Sequence, residues 1–170
     1  HDVPVTTCQI CLIDSEGKQL STVGLFPIRS LPDWTPGICE NRPLETWPRL
    51  NQILESGEIL TLRREMLINV EEWQFIDELF FSGVKTICLI PLISKGKRLG
   101  VLSVGEARNW EREPFTRGKL DFLQTLANQI AATVYNTQIY KESQRRADRL
   151  AALNEVGKAI VSTIEMDALL

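Results

Sequence analysis

Two apolar runs set the frame of this sequence. Val84 to Ile93 and Leu99 to Val104 are β-branched or apolar at nearly every position, without the alternation of a strand that has one wet face. Each is predicted to be a strand covered on both sides. Between them, Ser94-Lys95-Gly96-Lys97 is a short polar segment with a glycine, the pattern of a hairpin. Pro91 has no amide proton for a central ladder, which predicts an edge position or a bulge. Pro114-Phe115-Thr116 then opens a helix with Thr116 as its N-cap. Along it Leu120, Leu123, Ala127, Ile130, Val134 and Thr137 recur at alternating spacings of three and four. That is the seam of a coiled coil, and the expected contact of a homodimer.

Upstream, Thr6 to Ile13 and Gln19 to Phe26 are strand-like runs around Asp14-Ser15-Glu16-Gly17-Lys18, a second predicted hairpin. Leu31 to Pro48 is rich in Pro, Trp and polar residues and is expected to be a long irregular excursion. Thr46 is the expected cap of a short helix whose Leu50, Ile53 and Leu54 share a face, with Gly57 as its stop. Glu58 to Arg64 is a third strand candidate. Asn69 and Glu72 have capping-box spacing, and Ile68 with Trp73 stand as a hydrophobic staple. They predict a helix with an apolar face of Trp73, Ile76, Leu79 and Phe80 that ends at Gly83. This order gives an α+β fold: an antiparallel sheet of about five to six strands covered by helices on both faces, with a long C-terminal helix.

The last third carries two helical phases. Continued beyond Thr137, the heptad seam would put Lys141, Gln144, Asp148, Ala151 and Glu155 at core positions. A new stripe of Leu150, Leu153, Gly157, Ile160 and Ile164 starts instead, displaced by two residues. The expected organisation is one domain over 1–140, a polar helical joint over 141–149, and the first helix of a following domain over 150–170.

Composition narrows the function classes. A formal net charge of −3 gives no basic face for duplex nucleic acid. No run approaches the roughly 18 apolar residues of a membrane span, so no membrane contact is expected of this segment. The four cysteines, Cys8, Cys11, Cys39 and Cys88, are expected to pack as small apolar side chains in the cytoplasm. Cys8 and Cys11, three apart on a strand, point to opposite faces, and His1 is the single histidine. A metal site therefore lacks ligands, and no Ser/His/Asp set can form. Lys95-Gly96-Lys97-Arg98 has neither the spacing nor the helix of a phosphate-binding loop. The expectation is a non-catalytic chain without a cofactor.

Val84 to Ile93, Lys97 to Val104, Pro114-Phe115-Thr116 and Leu123 to Ala131 together resemble the second half of a GAF domain. Over Thr6 to Phe81 the order of elements matches. The resemblance implies a ligand pocket on one face of the sheet and helical dimer contacts on the other. The family's usual helix before the first strand has no counterpart ahead of Thr6. Leu150 to Leu170 resembles the opening helix of a following GAF domain and is expected to dock where that first helix would lie, on its own chain or a partner's.

Function follows from the site rather than the fold. No cysteine is followed by histidine, the pair through which bilin-binding members typically attach their chromophore. Asn109, Phe115 and Asp121 echo the motif of cyclic-nucleotide-binding members in part. Cys39 and Cys88 are the candidate thiols for a methionine-sulfoxide-reductase-like activity. The ligand pocket is expected among Trp34, Cys39, Trp47, Arg63, Trp73, Phe75 and Cys88, with aromatic walls and a few polar anchors; core filling is the competing role for these aromatics. The expected function is a sensory and dimerisation module of a bacterial signalling protein, such as a sensor histidine kinase of a two-component system. It would bind a small ligand and relay its state through the C-terminal helix. The alternative is a scaffold that dimerises without a ligand.

Overall fold

The computed structural model describes residues 7–27, 41–66, 84–106 and 115–167. The predicted helix between Asn69 and Gly83 lies outside them, as do Trp34, Cys39, Trp73 and Phe75. Strands β1 (Thr7–Ile13), β2 (Gln19–Pro27), β3 (Arg42–Pro43), β4 (Leu60–Arg63), β5 (Thr86–Ser94) and β6 (Lys97–Glu106) form one sheet in the order β3-β2-β1-β6-β5-β4. Every neighbouring pair is antiparallel. Helix α1 spans Pro48–Ser56 and helix α2 spans Arg117–Asp167.

Local chemistry explains the two hairpins. In the β1–β2 turn the Asp14 carboxylate accepts from the Lys18 amide at 2.8 Å and the Gln19 amide at 3.2 Å. These amides, Lys18 foremost, hold its carboxyl below the ordinary value. In the β5–β6 turn Ser94 pairs with Lys97 across Lys95 and Gly96, whose φ angles are 50° and 75°. Left-handed backbone at both central residues is the primed turn that matches strand twist.

The two predicted dry strands are dry. Thr86 to Leu92 on β5 and Leu99 to Glu106 on β6 are buried throughout. Pro91 is accommodated as expected for an edge: β4 pairs with β5 only from Leu89 to Thr86, so Pro91 faces no ladder on that side among the described residues. A register shift between Leu92 and Ile93 follows directly.

Strand alternation divides these side chains between two layers. Ile87 and Leu89 of β5, Val101 of β6 and Cys11 and Ile13 of β1 share one apolar cluster with Trp47 and with Leu50, Ile53 and Leu54 of α1. Each fully buried leucine or isoleucine there contributes roughly 1.5–3 kcal/mol. The residues between them, Cys88, Ile90, Leu92, Leu102 and Val104, form the opposite layer and are equally buried. Leu123, Ala127 and Ala131 form a dry stripe on α2.

Helix α1 starts differently from the expectation. Thr46 does not cap it: its hydroxyl donates to the Pro43 carbonyl at 2.7 Å, inside a 3-10 turn over Leu44–Thr46. Pro48 at the first helical turn opens the helix, where a missing amide proton costs nothing. The Gly57 stop is as expected, its amide donating to the Ile53 carbonyl at 2.9 Å. At the start of α2 the Thr116 carbonyl accepts from the Leu120 amide at 3.0 Å, which places Thr116 at the N-cap position.

The chain divides into two compact units, His1–Ala132 and Thr133–Leu170. In the second, every side chain from Ile139 to Gly157 is exposed. Leu150, Leu153 and Val156 are 62%, 62% and 56% exposed. Arg146 pairs with Glu142, and Gln144 donates to Asp148 at 3.3 Å, one helical turn apart in each case.

Candidate functional site

The sheet separates the predicted pocket residues. Trp47 is 4% exposed and belongs to the cluster with Ile87, Leu89 and Leu62. Cys88 lies between Ile87 and Leu89 and therefore points to the other face, as does Arg63, which follows Leu62. Cys88 pairs with Thr61 and Arg63 pairs with Thr86. Trp47 is thus a core aromatic on one side, while Arg63 and Cys88 stand on the other.

Burial makes Cys8 and Cys88 poor nucleophiles. Burial pushes the Cys88 thiol up to about 11, opposed by a hydrogen bond with the Thr61 side chain. Burial also raises Cys8. A raised value starves a cysteine of thiolate at neutral pH. Among the described residues no group of three His, Cys, Asp or Glu could hold a metal ion.

The polar groups that do come together were not singled out in the sequence. On the face that α1 covers, Gln9 of β1 stands across from Ser103 of β6. They are 2% and 3% exposed. The Gln9 amide donates to Thr22 Oγ1 at 2.7 Å, and Thr22 Oγ1 lies 3.6 Å from Cys11 Sγ. Thr7, two residues along β1 on the same face, is buried as well. The Ser103 hydroxyl has no hydrogen-bond partner among the described residues. Leaving such a group buried and unsatisfied costs about 1–3 kcal/mol. The available signal was the interruption of apolar runs: Gln9 sits inside Thr6 to Ile13, and Ser103 inside Leu99 to Val104.

A separate open cleft of about 260 Å³ lies between α1 and the approach to β4, with Arg49, Gln52, Ser56 and Glu58 on its walls. None of the predicted pocket residues lines it. Arg49 and Glu58 give its walls both signs of charge.

Helix α2 divides the expected dimer seam. Leu123 and Ala127, 6% and 0% exposed, are taken up by burial within the first unit. Leu120, Ile130 and Val134 are half-buried, and Thr137 is exposed. Phe122, off the seam, is 58% exposed.

Comparison with known proteins agrees with this architecture. The GAF domain family matches residues 3–134. The formate hydrogenlyase transcriptional activators of Salmonella typhimurium and Escherichia coli are 30% identical over 106 residues, 61% of this chain. The aligned region spans 15% of the length of those relatives. The GAF domain of a two-component sensor histidine kinase from Bacillus halodurans superposes with a TM-score of 0.57 at 21% identity, covering 81% of this chain and 86% of that one. The phycocyanobilin-bound GAF domain of a cyanobacterial phytochrome gives 0.62 at 12% identity, covering 80% and 78%. At such identities the two structures speak to fold, and the family match carries the assignment. With its six-stranded antiparallel sheet, its helices and its matched residues, the chain belongs to the GAF domain family.

Proposed function

We propose that this GAF domain is a sensory and dimerisation module of a multidomain signalling protein. It binds a small ligand on the α1 face of its sheet and relays ligand state through α2. One observation carries the reading: α2 begins with a stripe buried in the domain, Leu123, Ala127 and Ala131, and goes on as a helix exposed on every side from Ile139 to Gly157. A helix rooted in a core and continued in solvent has two ends that feel different surroundings. A change in the packing of the first end is thereby offered to whatever meets the second.

The relatives support the setting. One kind is named as a transcriptional activator and another is part of a sensor histidine kinase; on the proposed reading the neighbouring domain is a signalling output of that general kind. Cys8, Cys11 and Cys88 form no disulfide among the described residues, which fits a reducing cytoplasm. The domain is read as non-catalytic, since burial raises the Cys8 and Cys88 thiols above their ordinary value and the sequence has no internal histidine.

The test is a thermal-shift screen of the chain against a metabolite panel, followed by native mass spectrometry of any hit. A ligand bound by the folded state alone raises the melting temperature, by about 2.7 kcal/mol of stability at a hundredfold excess over Kd. Failure of every member to bind would leave the scaffold reading in its place.

A further inference from the structure

We infer that the polar patch of Thr7, Gln9, Thr22 and Ser103 takes a small uncharged molecule that presents an amide or lactam edge. This rests on the ligand-binding reading above and adds the class of ligand.

The patch is a break in an otherwise apolar face. Ser103 follows Val101 by two residues, and Gln9 precedes Cys11 by two, so both point to the layer that holds Val101, Cys11 and α1. Ser103 is 3% exposed and its hydroxyl has no hydrogen-bond partner among the described residues. A core position of this size is filled without penalty by alanine; a serine there leaves a donor and an acceptor unspent unless something arrives to use them. Directly opposite, Gln9 is oriented by the bond from its Nε2 to Thr22 Oγ1 at 2.7 Å. A hydroxyl both donates and accepts, and so does a primary amide. Two such groups facing across one ladder row match a ligand edge with a carbonyl next to an N–H.

Charge decides between an amide and a carboxylate. The rows that carry the patch are Leu25–Gln9–Ser103–Leu89–Leu60, Thr7–Gly105–Ile87–Leu62 and Thr22–Cys11–Val101–Pro91. None contains an ammonium, a guanidinium or a carboxylate. Arg98, at the tip of the β5–β6 hairpin, is exposed and lies 3.7 Å from Glu55. Among the described residues these rows offer an anion no countercharge for the water it would lose. A neutral amide loses less and regains it in hydrogen bonds.

The experiment compares nicotinamide with nicotinate and acetamide with acetate, pairs that differ in the amide and the carboxylate. Each is titrated by calorimetry and thermal shift into the full chain and into Ser103→Ala and Gln9→Met. The expected result is that the amides raise the melting temperature and the carboxylates do not. Ser103→Ala and Gln9→Met should each weaken amide binding roughly tenfold, the worth of one hydrogen bond, with the circular dichroism spectrum retained. Equal or tighter binding of the carboxylates overturns the ligand class and leaves the sensory reading standing. Amide binding unchanged in Ser103→Ala and Gln9→Met overturns the location. No response to any of the four overturns the class, and the metabolite panel then decides the sensory reading independently.

Discussion

Gly100 and Cys11 are in contact across the β1–β6 ladder so closely that any side-chain carbon on Gly100 would collide with the Cys11 carbonyl oxygen. The glycine also has φ +156°, where side chains are strained. Gly100→Ala should therefore separate the two central strands and cost about 3 kcal/mol or more, measured as a lower midpoint in urea. An alanine variant with the midpoint of the parent would mean that the strands do not approach as described.

The Cys88 thiol gives a pH-dependent prediction. Its value rises from 9.0 to about 11 on folding because burial disfavours the thiolate. The folded state therefore holds the proton more tightly than the unfolded state does. The corresponding stability is complete below pH 9 and is lost as the pH climbs through 11. At pH 8 roughly one thiol in a thousand is ionised, so maleimide labelling of the native chain should miss Cys88 and labelling in denaturant should find it. Rapid native labelling at that residue, mapped by peptide mass, contradicts the buried placement.

Positions along α2 should separate folding from association. Ala127 is fully buried, so Ala127→Glu should unfold the first unit, with a loss of several kcal/mol expected of an unpaired buried charge. Ile130 and Val134 are half-buried, and the double change Ile130→Glu with Val134→Glu should keep the circular dichroism of the parent while halving its mass in light scattering. An unchanged mass would remove this part of the helix from any dimer contact.

The uneven legibility of the sequence has a physical basis. β5 and β6 could be read because both of their faces are dry, and a strand buried twice must be apolar at consecutive positions. Gly57 could be read because a helix stop is local. Thr46 misled because it competes with Pro48, and the ring that fixes φ outweighed the hydroxyl that could have capped. That Cys88 and Arg63 stand across the sheet from Trp47 was hidden for a different reason. Residue types suggested an aromatic and a polar wall, but their side of the sheet depends on parity counted from a strand start, and an error of one residue moves a side chain through the sheet. Gln9 and Ser103 stayed unnoticed because one polar residue inside an apolar run passes for tolerance until its partner across the ladder is known. For the seam, spacing alone cannot tell a stripe that meets the same domain from one that meets a twin, and Leu123 and Ala127 meet their own domain.

The exposed run from Ile139 to Gly157 has a kinetic consequence. Its amides are protected by helical hydrogen bonds alone, so each can exchange with solvent through a local opening of one or two turns. Those of β5 and β6 must wait for the whole sheet to part. The chain thus keeps two clocks, a fast one in the exposed helix and a slow one in the sheet. Any partner that lies along that helix would first be felt as a slowing of the fast clock, before a single atom of the sheet had moved.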